Sequence, residues 1–581
     1  MKESRSLSEY VHRLRNKWAA RRAGRARVQT RIKWQPDPRS IGSYARGRQL
    51  CAGNFVFAGH LVQQEGRSPW DIAPPTPEFA AELNGFGWLD DLAAAGDSNA
   101  RSCAQLWLGQ WIDRFGSGTG DGWTPALSGR RLTRWILHAP FIMRGQDEAA
   151  KQAFLDALGR QALFLSWRRQ SSPDGVPQLE ALTGLIHASV ALDGLTLAHD
   201  RYMAALGKQC ETLVDSEGGL ACRNPEKLLD VFVLLNWVSL ILSEGGYTSI
   251  DAHKAALGRI APNLRALRHA DGGLARFHGG GRGLDGRLDG ALAASGVKAF
   301  KSQGLAMGFA RVSSGRTSVV IDAAPPPADT ASINAHASTL AFEMTSGRRP
   351  VIVNCGSGAS FGPDWRRAGR ATPSHSALIL NGQSSSQLAP GTGEKSNLLT
   401  RIPRDVPVRL DKSSGGTAFE AGHDGYRDHF GLTHIRRIEM TFDGRGIAGE
   451  DVLVALDEPD KTRFEQASKP FNRQGIPFDI RFHLHPDIDA AVDMGGTAVS
   501  MALKSGELWI FRFDGAVHMT VEPSVYLENN RLTPRSTQQI VLSAHATGYA
   551  TRTRWSFAKP QDSPVGIRDL AGTAQTPVAI G

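Results

Sequence analysis

The sequence predicts an α domain followed by a β domain, an incomplete (α/α) toroid of helical hairpins and then an antiparallel β-sandwich. Between about residues 98 and 268, apolar residues recur at spacings of three and four in segments of helical length. Beyond about residue 300, short runs of β-branched and aromatic residues are separated by turn residues. The predicted domains are a basic N-terminal helix or tail at 1–41, the toroid at 42–285 and the sandwich at 286–581.

Seven segments carry the helical pattern. In one of them, Asp174 stands before the free amides of a first turn, Pro177 fits that turn, and apolar residues follow at helical spacing. Because short turns join the segments and no strand pattern lies between them, we expect stacked helical hairpins. The predicted helices are 99–115, 130–143, 147–168, 177–196, 198–215, 225–245 and 251–268.

Two glycine-rich or proline-rich stretches predict less regular structure. Residues from Gly42 to Gly87 are predicted to be extended, and residues 279–286 (GGGRGLDG) to form a flexible junction. Beyond the junction, turn residues such as Asp443-Gly444 and Asp514-Gly515 fit hairpins of an antiparallel sandwich. The predicted strands lie in GLAMGFARV, TSVVIDAA, STLAFEM, RPVIVNC, SALILNG, TAFEAG, IRRIEMTF, FDIRFHLH, AVSMAL, ELWIFRF, SVYLEN and QIVLSA.

The composition excludes several classes of protein. There is no apolar run of about 18 residues to span a bilayer, and no apolar signal core near the N-terminus. We therefore expect a cytoplasmic protein, with the periplasm or cell envelope as the alternative. The five cysteines are scattered and lack CxxC spacing, which argues against a disulfide framework or a zinc knuckle and favours a reducing compartment.

The positive charge is concentrated at the N-terminus. Of the net charge of +10, residues 1–33 supply eleven Lys and Arg against Glu3 and Glu9, or +9. This segment is predicted to be a solvated helix or tail, with contact to an anionic surface as the alternative. Because the rest of the chain is nearly neutral, specific nucleic-acid binding is not expected. Its apolar stripe consists of Leu7, Tyr10, Val11 and Leu14.

Three stretches between Asn334 and Leu378 carry the strongest functional signal. They read NAHASTLAFEM, RRPVIVNCGSG and RRAGRATPSHSAL, and they place His336, Asn354 and His375 among strand-like alternations. Because alternate residues of a strand share one face, such spacing can bring distant side chains together. We expect these three to converge on the sheet face that meets the toroid.

These stretches resemble the heparinase II/III family of polysaccharide lyases. That family carries a His-x-Asp/Ser opening, an Asp/Asn-x-Gly turn and a later His-Asn/Ser-Thr/Ala element, and the resemblance covers residues from about 300 to 550. It implies a toroid and a sandwich with substrate between them, and cleavage of a uronic-acid-containing polysaccharide such as a bacterial or glycosaminoglycan polymer. In this β-elimination a base removes the C5 proton, an acid helps the C4 oxygen leave, and a further group neutralises the carboxylate.

The resemblance also implies a site. His336, Asn354 and His375 match the family's sheet-domain metal site, which implies a structural zinc, whereas a purely structural pair of histidines would tie strands together by hydrogen bonds. Tyr426 as the base would need a pKa below its ordinary value of about 10. The catalytic candidates are His336, His375, Tyr426, Arg370 and Asn334. The candidates for binding an acidic polysaccharide are Arg130, Arg131, Arg223, Asn224, His278 and His423.

The chain departs from the family at two points. It has no tyrosine between Tyr247 and Tyr426, and the helix start VPQLEALTGL lacks the family's Asn-His pair. One alternative is therefore a non-catalytic protein that binds saccharides or assembles envelope polysaccharide on a lyase scaffold. A second is glycoside hydrolysis by two carboxylates, with Glu180 and Asp174 as candidates.

Overall fold

The structure is a computed structural model that describes residues 7–299, 304–391, 394–413, 416–472, 474–529 and 531–560. Lys2, Glu3 and Arg5 of the basic segment lie outside the described residues, as do the side chains of Leu7 and Glu9. Residues 561–581, the end of the predicted sandwich domain, also lie outside them.

The first half of the described chain is helical. Its helices are α1 (Leu7–Gly24), α2 (Tyr44–Cys51), α3 (Pro77–Gly85), α4 (Trp88–Ala95), α5 (Ser98–Phe115), α6 (Pro125–Leu137), α7 (Ala139–Met143), α8 (Glu148–Arg168), α9 (Val176–Ala191), α10 (His199–Leu213), α11 (Pro225–Glu244), α12 (Asp251–Leu267) and α13 (Arg287–Ala294). Short strands accompany them: β1 (Arg31–Ile32), β2 (Asn54–Phe57), β3 (His60–Gln63) and β4 (Leu192–Asp193).

The seven predicted helical segments are all present, and local chemistry explains their limits. In α11, the Asn224 side chain accepts a hydrogen bond from the Lys227 N–H at 3.0 Å, and Pro225 occupies the first turn. The expected role of Asp174 in α9 was wrong, because Gly175 is the N-cap residue and no side chain caps that helix. The predicted segment 130–143 is divided into α6 and α7 at His138.

The prediction of extended structure from Gly42 to Gly87 was wrong in part, and the predicted flexibility of residues 279–286 stays a prediction. The stretch from Gly42 to Gly87 contains α2 and α3, which Ser43 and Thr76 cap by accepting backbone N–H bonds. The glycine-rich junction is packed onto α11, since the Gly281 N–H donates to Glu226 Oε2 at 2.7 Å. The helix α13 follows it directly.

The basic N-terminal segment forms α1, but its predicted apolar stripe is not the packed face. Three small side chains, Ala19, Ala20 and Ala23, are buried where α1 packs on α8. Small residues allow such close approach of a helix, whereas larger side chains on the other faces remain in solvent. The exposed apolar side chains are Tyr10, Val11, Leu14 and Trp18.

The second half forms a sandwich of two antiparallel sheets, each with eight strands among the described residues. The cleft sheet, named for the cleft described below, has the order β20-β21-β16-β8-β7-β6-β5 with β9 beside β16, and the outer sheet has the order β12-β13-β14-β15-β22-β19-β18-β17. The side chains of Phe342 and Trp555 stack between the sheets with ring centres 5.7 Å apart. The predicted strand runs all contain strands.

The bounds of the strands in this half are β5 (Phe309–Ser314), β6 (Thr317–Asp322), β7 (Phe342–Ser346), β8 (Arg349–Val353), β9 (Leu378–Leu380), β10 (Gln387–Leu388), β11 (Leu399–Arg401), β12 (Val408–Ser413), β13 (Gly416–His423), β14 (Thr433–Thr441), β15 (Gly446–Val454), β16 (Ile476–Leu484), β17 (Ile488–Asp493), β18 (Ala498–Leu503), β19 (Leu508–Asp514), β20 (His518–Tyr526), β21 (Arg535–Ala546) and β22 (Ala550–Ala558). Three helices accompany them: α14 (Pro363–Gly369), α15 (Arg427–Phe430) and α16 (Glu458–Ser468).

One arginine fastens the helical domain to the sandwich. Arg223, in the turn before α11, forms an ion pair with the buried Asp322 of β6 at 2.6 Å. Its guanidinium also donates to four main-chain carbonyls of the sandwich half, those of Met307, Gly308, Ala324 and Pro325. The predicted substrate-binding arginine is therefore a structural contact between the domains.

Within the part of the chain that the structure describes, no helix combines the length and the apolar character that a bilayer crossing requires. All five cysteines are free thiols.

Candidate functional site

A cleft of about 2390 Å³ separates the helical domain from the cleft sheet. Residues of α6, α9 and α11 line one wall, and residues of β7, β8 and the end of β20 line the other. The turn after α12 and the glycine-rich junction also contribute to its surface. The cleft is therefore built from both domains, as expected of a substrate site in this architecture.

The cleft is highly polar but electrically balanced. Among the described residues, its surface includes thirteen Arg and Lys side chains and thirteen Asp and Glu side chains. Several of them pair with each other, such as Arg130 with Glu180 at 2.5 Å and Arg287 with Asp230 at 2.8 Å. Burial raises the pKa of Glu180 although Arg130 opposes that shift.

Three buried residues, His269, Arg276 and Glu343, form what we call the cleft floor. Glu343 lies on β7 between Phe342 and Met344, whose side chains enter the sandwich core, so strand alternation turns the carboxylate towards the cleft. Its Oε2 accepts the main-chain N–H of Arg276 at 3.0 Å and lies 3.1 Å from His269 Nε2. Because a carboxylate accepts this bond, His269 Nε2 carries a hydrogen, and in the neutral ring Nδ1 is then an acceptor.

The cleft floor has unused hydrogen-bonding capacity. In the described part of the chain, His269 Nδ1, Arg276 Nη1 and Glu343 Oε1 are buried and have no hydrogen-bond partner. Buried polar atoms of native proteins are nearly always hydrogen-bonded, so three together call for a ligand or ordered water. The group therefore offers one donor and two acceptors.

Tyr526 lies beside the cleft floor. The guanidinium of Arg276 lies over its ring, 4.1 Å from the ring centre, and also donates to the carbonyls of Cys355 and Leu527. Burial raises the pKa of Tyr526, so its hydroxyl keeps its proton at neutral pH.

Sequence reasoning missed His269, Glu343 and Tyr526. The available signal was Glu343, the lone charged residue within the apolar run LAFEM.

The predicted histidine pair exists, but it does not line the cleft. His336 Nδ1 and His375 Nε2 are 3.0 Å apart, and Asn354 Oδ1 accepts the Ser376 N–H at 3.1 Å. The pair is buried beneath His278 of the junction, whose Nδ1 accepts the His336 N–H. Burial lowers the pKa of His375 to about 4 and that of His336 well below its ordinary value, so both are neutral. The predicted convergence is confirmed, whereas the predicted access to substrate is not present.

The residues of this group do not fit a zinc ion. His375 Nδ1 donates to the Ala371 carbonyl and Nε2 accepts from His336, while the Asn354 oxygen is already bonded to Ser376. Zinc sites in proteins take four ligands drawn mainly from histidine, cysteine and carboxylate. The described residues contain no group of three such side chains that could hold a metal. The structural zinc stays a prediction, which metal analysis would test.

The other predicted catalytic side chains also make structural contacts away from the cleft. The Tyr426 hydroxyl donates to the Leu378 carbonyl at 2.8 Å, and burial raises its pKa, which is opposite to the shift that a base requires. Arg370 donates to the carbonyls of Ser332 and Ala335. Asn334 Oδ1 accepts a bond from Arg366.

Of the predicted substrate-binding residues, Arg130 alone lines the cleft among the described residues. Arg131 is fully buried and donates to the carbonyls of Asn84 and Gly122. Besides capping α11, Asn224 donates to the His278 carbonyl. His278 itself is buried, with Nε2 3.3 Å from Asp322 Oδ2.

His423 belongs to a buried group that we call the sandwich network: His423, His434, Arg436, Asp451 and Trp555. His423 Nε2 lies 3.1 Å from His434 Nδ1, and His434 Nε2 lies 2.7 Å from Asp451 Oδ1. Arg436 and the Trp555 indole also donate to Asp451. His423 was predicted to bind substrate, but the structure encloses it between the sheets.

The predicted hydrolase pair does not form. Glu180 lines the cleft, whereas Asp174 is exposed at the start of α9 and does not line it.

Comparisons with known proteins agree with the architecture. Residues 298–556 match the family model described as Heparinase II/III-like, C-terminal. A crystal structure of heparinase III is similar with a TM-score of 0.64 and 12% identity, over 95% of this chain and 91% of that one. A mutant of the heparan sulfate lyase HepC from Pedobacter heparinus is similar with a TM-score of 0.57 and 14% identity, over 96% and 91%. These structures confirm the predicted order of a toroid followed by a β-sandwich.

A relative with a different kind of name covers nearly the whole chain. FtsZ-localized protein C of Caulobacter vibrioides (strain NA1000 / CB15N) is 28% identical over 536 residues, which is 90% of this chain and 89% of that protein. The similarity therefore includes both domains.

Proposed function

We propose that the chain, whose residues 298–556 match the Heparinase II/III-like, C-terminal family model, binds a uronate-containing polysaccharide in the cleft between its two domains. The observation that carries this proposal is the cleft itself, a polar groove of about 2390 Å³ lined by both domains. Arg130 on the helical wall is suited to a sugar carboxylate, because guanidinium groups bind carboxylates by charge-assisted hydrogen bonds.

The test is direct binding of defined oligosaccharides to the purified chain. We expect alginate, hyaluronan or heparan sulfate oligosaccharides to give saturable heats in isothermal titration calorimetry, with an affinity that falls as salt screens the charges. Arg130→Gln should weaken the binding, whereas Arg114→Gln, an exposed ion-paired arginine outside the cleft, should not. If none of the three polymers binds, the proposal is wrong.

The finer proposal is that the chain cleaves this polymer by β-elimination. The family supports a polysaccharide lyase kind of enzyme, and one group in the cleft is suited to the proton transfer to the leaving oxygen. Tyr526 keeps its proton and could donate it there.

Elimination leaves an unsaturated uronate, which absorbs in the ultraviolet, so turnover can be followed continuously. We expect wild type to produce this absorbance and Tyr526→Phe to lose it while still binding. Tyr426→Phe is the matched control, because its hydroxyl contacts Leu378 outside the cleft. Binding with no absorbance from wild type would favour the alternative of a non-catalytic protein.

That alternative has its own support, the similarity to FtsZ-localized protein C across both domains. Under it, the chain is a cytoplasmic protein that localises with FtsZ and takes part in the assembly of envelope polysaccharide without turnover. A fluorescent fusion should then overlap with FtsZ in dividing cells. A uniform signal, or one confined to the periplasm, would contradict this proposal.

We also propose that α1 contacts an anionic surface. Its Tyr10, Val11, Leu14 and Trp18 are exposed on a helix rich in Lys and Arg, a combination suited to membrane interfaces. The protein should sediment with vesicles that contain phosphatidylglycerol and not with neutral vesicles. Trp18→Glu should release the protein from the vesicles. Tyr247→Glu should not, because Tyr247 is an exposed aromatic residue outside α1. Equal sedimentation of wild type and Trp18→Glu would contradict this role.

A further inference from the structure

We infer that the cleft floor is a subsite for two hydroxyls of one uncharged, unsulfated sugar unit. His269 Nδ1 and Glu343 Oε1 would accept from two hydroxyl groups, and Arg276 Nη1 would donate to an oxygen of the same ring. The inference rests on the proposed function, because it assigns one position along the polymer that the cleft binds.

The first argument is hydrogen-bonding complementarity. The three buried atoms without partners comprise two acceptors and one donor, and Glu343 Oε2 binds both the His269 ring and the Arg276 main-chain N–H. Two hydroxyls of one ring can donate to the acceptors, while another oxygen of that unit accepts from Arg276. A sugar ring supplies this pattern from a single unit, so binding would satisfy all three atoms at once.

The second argument is preorganisation. Glu343 is fixed on a strand of the cleft sheet, and Arg276 is held by the carbonyls of Cys355 and Leu527 and by the Tyr526 ring. His269 lies in a tight turn, in which its N–H donates to the Gly273 carbonyl at 2.8 Å. Rigid side chains lose little conformational entropy on binding, which favours recognition of one ring orientation.

The third argument is charge. Glu343 belongs to the floor and Glu528 lines the same cleft, so their carboxylates offset the charge of Arg276. The complete cleft carries no excess of Arg and Lys among the described residues. A sulfate at this position would be repelled and would leave the acceptors unpaired. An uncharged sugar has neither disadvantage, whereas the uronate of the polymer is left to the Arg130 wall.

The test compares three probes of equal length by isothermal titration calorimetry. Hyaluronan oligosaccharides alternate a uronate with an uncharged N-acetylhexosamine, alginate oligosaccharides contain uronates alone, and heparan sulfate oligosaccharides carry sulfate. We expect hyaluronan to bind tightest. Glu343→Gln and His269→Asn should each weaken hyaluronan binding about tenfold, the effect of one lost hydrogen bond in a buried site, and should change alginate binding less than about twofold.

The matched control is Glu507→Gln. Glu507 is another buried carboxylate next to β7, where it accepts a bond from Ser346, but it does not line the cleft. It should leave all three affinities unchanged. Because Glu343→Gln removes charge inside the protein, its thermal unfolding is measured beside the binding, and His269→Asn gives a second variant if Glu343→Gln fails to fold.

Three outcomes separate this inference from the proposed function. Tighter binding of heparan sulfate than of hyaluronan would overturn the subsite and leave polysaccharide binding intact. Equal losses for hyaluronan and alginate in the two variants would also overturn it, since the floor would then not distinguish uncharged units. Absence of binding to all three probes would overturn the proposed function itself.

Discussion

The sandwich network and the cleft floor contain the same kinds of residue but differ in how completely those residues are hydrogen-bonded. Each has histidine, arginine and a carboxylate in mutual contact. In the described part of the chain, the sandwich network has no buried side-chain atom without a partner, whereas the cleft floor has three. A network without free donors or acceptors holds the fold together, whereas donors and acceptors that lack partners beside a cleft are available to a ligand. Residue type alone therefore does not locate the site.

Asp451→Asn should give the largest effect, a loss of about 3–5 kcal/mol in the free energy of unfolding. Burial disfavours the charge of Asp451, but Arg436 and His434 hold its pKa below the usual range, so the carboxylate is ionised. The amide would leave the fully buried Arg436 without its counter-charge. Chemical denaturation followed by fluorescence measures the change.

Glu343→Gln is the natural counterpart of that variant, because it alters a buried carboxylate that already lacks a partner on one oxygen. Glu343→Gln should lower the free energy of unfolding far less than Asp451→Asn does. It should lower the affinity for polysaccharide far more than Asp451→Asn does. If Asp451→Asn instead weakened binding without loss of stability, the division between network and floor would be wrong.

The pH dependence of the free energy of unfolding should give the next largest effect. Burial lowers the pKa of His375 to about 4, whereas in the unfolded chain it has the ordinary value of about 6.5. Between these values the unfolded state binds more protons, so stability falls as the pH falls from about 6.5 to about 4. Each such histidine contributes about 1.4 kcal/mol per pH unit within that window, or about 3 kcal/mol in total.

Unfolding curves at a series of pH values test this expectation. His375→Gln should flatten the slope between pH 6.5 and 4 whatever its effect on stability at pH 7. Asp322 and Asp451 have folded pKa values below that window, and they lose their contribution only at lower pH. An unchanged slope in His375→Gln would show that this imidazole is protonated in the folded protein.

Arg223→Lys should have the next largest effect, a loss of about 2–3 kcal/mol in the free energy of unfolding. Lysine can keep the charge next to Asp322, but it cannot donate to the several carbonyls that the planar guanidinium reaches. Arg39→Lys is the matched control, because that arginine is half exposed and its ion pairs are long. Equal unfolding free energies for the two variants would rule out the role of Arg223 in fastening the domains.

The fold could be predicted largely because its signals are local. Asn224 and Pro225 mark the start of α11, for example, and apolar periodicity marks the packed faces of the helices. β22 was missed although it lies inside the outer sheet, because Arg552 and Arg554 alternate with its buried residues and hide its apolar face. The helices α2 and α3 are eight and nine residues long, little more than two turns, so their apolar periodicity is weak.

The site could be predicted only in part because its decisive features are not local. Strand alternation correctly brought His336 to His375, but it specifies a sheet face and not what covers that face. Here the junction segment with His278 covers it, and contacts so distant in sequence leave no spacing signal. Glu343 becomes significant only once the turn containing His269 is placed beside it.

Glu180→Gln should give the smallest effect, a change in uronate affinity. It would extend the comparison of structural and ligand-binding groups to the helical wall of the cleft. The Glu180 carboxylate binds Arg130, and its own Oε2 is buried without a partner. Removing its charge leaves Arg130 less neutralised, so uronate affinity should rise about two- to fivefold, as expected for a partly exposed ion pair of about 0.5–1 kcal/mol. Arg130→Gln should have the opposite effect, and the double variant should resemble Arg130→Gln. If the two single variants shift affinity in the same direction, the pair acts as one structural unit, and the wall arginine that the sequence predicted for substrate binding serves the fold instead.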